Sequence, residues 1–170
     1  DHLLRDFLVF ARPSQAYPER VELAEVVNHC RTTFEHKFQD IEVKIEDSLK
    51  EKFCTWDKNQ LIQVVLNLVL NALQAASENE APSIELGMSK DDVGEYLFIK
   101  DNGPGIASKH AGQIFDPFMT TKSKGSGLGL SIAQRLANRN RSWIELKNRS
   151  PQGAEARLYF EQDQFMQSIS

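Results

Sequence analysis

No stretch of the 170-residue chain approaches the 18 or more uninterrupted apolar residues of a membrane span, and Asp1-His2-Leu3-Leu4-Arg5-Asp6 does not open a signal peptide. Any membrane segment of a parent protein is expected outside these residues, and the expected setting is cytoplasmic, without direct membrane contact. Cysteine is scarce. Cys30 and Cys54 lie 24 positions apart without metal-ligand spacing, so they read as buried free thiols in a reducing compartment rather than as a disulfide. A basic excess is missing too, since 20 Lys and Arg against 24 Asp and Glu leave a net charge of −4, which argues against a nucleic-acid partner. Lys122 and Lys124 form the most suggestive basic pair and are too few. Repeats and low-complexity tracts are absent, and 41% hydrophobic residues suffice for one buried core.

What is present is a sequence of alternating periodicities. Residues 3 to 12 have helix-like apolar spacing that stops at Pro13, and a polar stretch with Pro18 follows, so 1–19 read as a helix tail and a linker. Leu23, Val26, Val27, Cys30, Phe34 and Phe38 mark one face of a helix over 22–38. Strands are predicted at 41–45, at Phe53 to Trp56, and around Ile84–Met88 and Leu97–Ile99, the last pair joined by a turn at Asp91 to Gly94. Asp57 with Gln60 resembles a capping box that opens a helix to about Ser77. A long loop over about 102–126, a helix over 127–139 and a hairpin of 142–148 with 154–161 complete a domain of 20–161, with 162–170 as a tail. Loops of that length are usually functional or disordered. The predicted fold is α+β: a two-layer sandwich with helices on one face of a mixed sheet.

Three features carry chemistry. The helix from Leu61 to Ala76 is apolar nearly all round, yet Gln63, Asn67 and Asn71 recur at i, i+4, i+8 and form one polar line. An unpaired buried amide costs roughly 1–3 kcal/mol, so the line needs partners: a neighbouring loop, buried water, or a ligand with a hard cation such as Mg²⁺. Asp101-Asn102-Gly103-Pro104-Gly105-Ile106 places a carboxylate at a strand end beside two glycines, either as a tight turn or as a seat for a flat ring with an amine. Gly125-Ser126-Gly127-Leu128-Gly129-Leu130 opens a helix, where backbone N–H groups favour an anion. No strand directly precedes it and no Gly-Lys-Ser/Thr occurs, which disfavours the Rossmann and P-loop readings.

In this order, Asn67-Leu-Val-Leu-Asn71-Ala72, Asp101-Asn-Gly-Pro-Gly-Ile106, Phe115-Asp-Pro-Phe118 and Gly125-Ser-Gly-Leu-Gly129-Leu130 resemble the N, G1, F and G2 boxes of sensor histidine kinases. The resemblance covers about 20–161, and Leu8-Val9-Phe10-Ala11-Arg12-Pro13 is similar to the end of the dimerisation domain that precedes such modules. Gln74-Ala75-Ala76 and Thr120-Thr121-Lys122 look most like the nitrogen-regulator type. The resemblance implies the Bergerat ATP-binding fold with a long ATP lid at about 102–126. It also implies ATP and Mg²⁺ as cofactors, Asn71 on the metal, and Asn67 by the phosphates with Lys122 as the second catalytic residue. Asp101 would accept from the adenine amino group, with Gly103, Gly105 and Ile106 shaping the base pocket. The remaining implied contacts are Gln74, Ala75, Phe118, Thr120, Thr121, Gly125, Ser126, Gly127, Leu128, Gly129 and Leu130.

The chain departs from that pattern at Gln74 and Ala75, where many members carry a basic residue and a tyrosine, at Arg141-Ser142 in place of a glycine pair, and at Ala154 in place of a threonine. The resemblance further implies a phosphoacceptor histidine on a separate dimerisation domain, a homodimer in the full protein, and a response regulator as partner. The histidines here, His2, His29, His36 and His110, read as ordinary imidazoles. Gyrase and Hsp90 relatives that hydrolyse ATP carry a glutamate where Asn67 stands, which leaves an ATPase-gated clamp as one alternative and a non-catalytic interaction module on the same fold as another.

Overall fold

The computed structural model describes residues 15–37, 39–120, 126–161 and 165–167, the last three through their backbone. In chain order the elements are β1 (Glu19–Glu22), α1 (Leu23–Thr33), β2 (Glu42–Ile45), β3 (Lys52–Trp56), α2 (Lys58–Ala76), β4 (Ser83–Lys90), β5 (Glu95–Asp101), α3 (Gly129–Arg139), β6 (Trp143–Asn148), β7 (Ala154–Tyr159) and β8 (Phe165–Gln167). Five strands form a mixed sheet in the order β2-β4-β5-β7-β6, with β2 parallel to β4 and the other neighbours antiparallel. Helix α2 packs on β4 and β5, α3 on α2 and β6, and α1 on α2 and β3. This is the expected α+β sandwich.

Period-two alternation decides which residues of β5 meet the helices. Leu97 and Ile99 belong to the main core with Leu61, Val65, Leu68 and Leu136, and Asp101, in phase with them, falls on the same face. Tyr96 and Phe98 point the other way and form a second cluster with Tyr159, against which Trp143 stacks at 5.1 Å. Among the described residues no helix packs over that face. Arg157 lies 4.6 Å over the Tyr96 ring and Lys100 3.9 Å over Phe98, so cations cover the aromatic surface.

The α2 N-terminus forms as its sequence predicts: Asp57 is the N-cap, and its Oδ1 accepts from the Gln60 N–H at 2.9 Å. The reciprocal half of a capping box is missing, because Gln60 Oε1 instead accepts from Asn140 Nδ2 at 2.8 Å. Asn140 also accepts from the Asp57 N–H at 3.2 Å and donates to the Leu136 carbonyl, so one buried amide joins the start of α2 to the end of α3. Cys30 and Cys54 are buried and free, and burial pushes both thiols up to about 12.

Several boundaries differ from expectation. The first amphipathic helix ends at Thr33 with a short 3₁₀ turn at Glu35–Lys37, and Phe38 lies outside the described residues. Strand β1 begins at Glu19, the last residue of the stretch read as linker, and runs into the start of the predicted first helix, and part of the stretch read as a tail is β8; both pair with β3 in a second, three-stranded antiparallel sheet. Only Val21 of β1 is fully buried, so the strand has almost no apolar signature. The helix tail before Pro13 lies outside the described residues. Among those described, no helix is long and apolar enough to cross a membrane.

Arg141 sits at φ +56° in the turn from α3 into β6, a left-handed conformation that favours glycine. Beside it Ser142 is buried and accepts from Trp56 Nε1 at 3.1 Å. The left-handed conformation strains a residue with a Cβ, and the Arg141–Glu161 ion pair is largely exposed and offsets little of that. Arg141→Gly is therefore expected to raise unfolding stability by about 0.5–1 kcal/mol in urea titrations, the gain being reduced by glycine's greater freedom in the unfolded chain. A loss of stability would show that the ion pair outweighs the backbone strain.

Candidate functional site

Two glycine contacts, eight residues apart on α2, define a line on that helix. At its C-terminal end a Cβ on Gly103 would lie 2.4 Å from the Ala75 carbonyl oxygen, so the loop after β5 rests directly on the helix backbone and admits no side chain there. At the other end the Cβ position of Gly129 lies 4.0 Å from the Asn67 amide, which places Asn67 beside the first residue of α3. Asn71 stands midway on the same half-buried flank, while Gln74 is exposed and Ala75 half-buried. Eight helical residues rise about 12 Å, a span suited to a nucleotide lying from its base to its phosphates.

The loop at the Ala75 end is held by its own carboxylate. Asp101 is 4% exposed, and its Oδ1 accepts from the Gly103 N–H at 2.9 Å and the Ala154 N–H at 3.2 Å. The Ala154 backbone thus reaches the carboxylate even without the hydroxyl of a threonine. Residues that sequence reasoning missed fasten the loop from outside. Arg149 Nη1 donates to the Asp101 carbonyl at 2.9 Å, Asn79 Nδ2 and Gln152 Nε2 both donate to the Asn102 carbonyl, and Asn148 bonds to Ile106. Their partners are distant in sequence, and polar residues near a turn carry no signal of such contacts.

At the Asn67 end, Leu128 is the N-cap of α3 and supplies no side-chain acceptor to the first-turn amides. Leu128 itself is 1% exposed, its N–H donates to Ser126 Oγ at 3.3 Å, and Leu130 packs on the core. Gly127 lies against the backbone of Phe118, where a Cβ would come within 2.4 Å of the Phe118 carbonyl carbon. The two phenylalanines of Phe115-Asp-Pro-Phe118 divide: Phe115 packs on the core, but Phe118 has φ +65° and is 64% exposed. Phe118 therefore contributes backbone to this end of the site rather than an aromatic anchor. Thr120 is exposed; Thr121, Lys122, Lys124 and Gly125 lie outside the described residues.

Among the described residues no group of three or more His, Cys, Asp or Glu side chains is placed to hold a metal. A divalent cation would here rely on an amide oxygen together with phosphate oxygens and water, a donor set that Mg²⁺ accepts. Asn71, between the loop at Ala75 and the helix start at Asn67, fits that role. A cleft of about 480 Å³ lined by Phe115, Pro117, Arg135 and Arg139 shares no residue with the line.

The family model described as histidine kinase-, DNA gyrase B- and HSP90-like ATPase matches residues 56–164. The sensor histidine kinase ZraS of Escherichia coli K12 is 27% identical over 163 residues, covering 94% of this chain and 34% of ZraS. The chain thus spans about a third of the length of that curated relative. The nucleotide-free catalytic domain of the histidine kinase ThkA superposes with a TM-score of 0.73 at 27% identity, covering 84% of this chain and 93% of that domain. ThkA in complex with the response regulator protein TrrA shares the fold, with a TM-score of 0.76 at 24% identity over 92% of this chain and 45% of that one.

Proposed function

Because the chain belongs to the histidine kinase-, DNA gyrase B- and HSP90-like ATPase family, we propose that it binds Mg-ATP and presents the γ-phosphate to a histidine on a separate dimerisation domain of the same kinase. A response-regulator aspartate then receives the phosphoryl group. The observation that carries this reading is the line on α2, where Ala75 meets the Asp101 loop, Asn67 meets the start of α3, and Asn71 stands between them. Asp101 orients the base through its carboxylate, and Gly103 gives the base access to the helix surface. The first-turn amides of α3 stabilise phosphate charge. Asn71 would hold Mg²⁺, which neutralises charge on the phosphates. Lys122 would add a cation on the lid.

Asn67 distinguishes transfer from hydrolysis. A carboxamide can donate to a phosphate oxygen but takes no proton from water at neutral pH, so the site has no general base at that position. The acceptor must then be a nucleophile brought by a partner. Such use of ATP places the domain on the cytoplasmic side of any membrane. The Gln74-Ala75-Ala76 and Thr120-Thr121-Lys122 segments support a kinase of the nitrogen-regulator type, and the ThkA–TrrA assembly supports a response regulator as the second partner.

Incubation with γ-labelled ATP tests the reading. The chain alone should stay unlabelled, and adding the dimerisation domain of the same kinase should give acid-labile, base-stable label on that partner. Label on this chain alone, lost in His2→Ala, would overturn the separate-acceptor reading. Vigorous steady hydrolysis without transfer would favour the clamp ATPases instead.

A further inference from the structure

We propose that Asn148 is a positioning residue for the nucleotide base, whose side-chain amide locks Gly105 and Ile106 onto the end of β6. The inference rests on the Mg-ATP reading above and adds a residue to it. The Ile106 N–H donates to Asn148 Oδ1 at 2.6 Å, and Asn148 Nδ2 donates to the Ile106 carbonyl at 2.9 Å. One side chain thereby satisfies both backbone groups of one residue, as a neighbouring strand would. Gly105 holds φ +81°, and a Cβ there would lie 2.8 Å from Asn148 Oδ1, so the loop closes tightly around the amide.

The other end of the loop is fastened by the same turn. Arg149 holds the Asp101 carbonyl and Gln152 the Asn102 carbonyl, so the β6–β7 turn grips the segment 101–106 at its start while Asn148 grips it at its end. Between those grips lie Gly103-Pro104-Gly105, which contains two glycines and would sample many conformations if one grip were released. A ligand binding to the released loop would bear the cost of ordering it, and affinity would fall accordingly. Both Asn148 bonds are exposed, where water competes for the same groups, so they add little to global stability. Their effect is local order, at the residues that meet the base.

The test compares Asn148→Ala, Asn148→Asp and the control Lys147→Ala, whose native ammonium pairs with Glu145 at 2.9 Å. In Asn148→Ala the Ile106 amide should exchange with solvent about tenfold faster without nucleotide, and Mg-ATP should bind about tenfold more weakly. The preference for ATP over GTP should narrow, and the thermal midpoint should move by no more than about 2 °C. Asn148→Asp keeps the acceptor for the Ile106 N–H and loses the donor, so its affinity should fall between the two; Lys147→Ala should match the wild type. Unchanged Ile106 exchange in Asn148→Ala would overturn the latch. Weaker binding of ATP and GTP alike, tracking a lowered thermal midpoint, would reduce Asn148 to a structural residue. Absence of any Mg-ATP binding by the wild type would defeat the functional reading, while Ile106 exchange measured without nucleotide would still decide the latch.

Discussion

Asp101→Asn is expected to weaken Mg-ATP binding at least about a hundredfold, the loss that follows when a charge-assisted hydrogen bond of roughly 3 kcal/mol is removed. The substitution is chosen because it is isosteric. An asparagine oxygen can still accept from the Gly103 and Ala154 N–H groups that the carboxylate holds at 2.9 and 3.2 Å, so the loop should keep its shape. Its NH₂ group, however, would meet the adenine amine donor to donor. The same chemistry predicts base selectivity in the wild type: guanine presents a carbonyl to the buried Asp101 carboxylate, and two acceptors that face each other repel. Calorimetric titration of both nucleotides checks both claims. Equal affinity for ATP and GTP, or wild-type affinity in Asp101→Asn, would show that Asp101 is only the turn residue that its bonds to Gly103 and Ala154 already make it.

Asn71→Ala should abolish the Mg²⁺-dependent part of ATP binding while leaving binding in excess chelator nearly unchanged. Alanine is the best helix former, and Asn71 lies on the half-buried flank of α2 rather than among its fully buried residues, so the helix should persist. The thermal cost should be no more than about 1 kcal/mol, the usual net worth of one hydrogen bond. The discriminating quantity is the ratio of affinities with and without Mg²⁺, which should collapse towards one. A preserved ratio in a folded Asn71→Ala variant would make the amide line a structural feature of α2.

Much of this arrangement is legible in the sequence. The i, i+4, i+8 amides on an otherwise apolar helix, the carboxylate in phase with Leu97 and Ile99 at the end of β5, and the glycines opening α3 are local patterns. Each depends on a period that the chain carries within one element, and the Asp57 cap on the Gln60 N–H followed from three adjacent positions in the same way. The exposure of Phe118 has no local signal in the sequence, because a left-handed backbone at a phenylalanine, here φ +65°, is set by the surrounding loop. Strand β1 was missed because one buried residue, Val21, makes no pattern.

The sequence by itself determined most of the elements, β1 and β8 excepted, and which face of each is polar, because side-chain period and capping are set by residues a few positions apart. Tertiary structure alone decided what those faces meet. Asn67 lies beside Gly129, Gly103 rests on Ala75, Asn148 grips Ile106 and Asn140 ties the start of α2 to the end of α3. These pairs are 28 to 80 positions apart in the chain. A hydrogen-bonding side chain has no preferred partner until the sheet order β2-β4-β5-β7-β6 and the packing of α2 against α3 bring one within reach, so no local pattern could have named it.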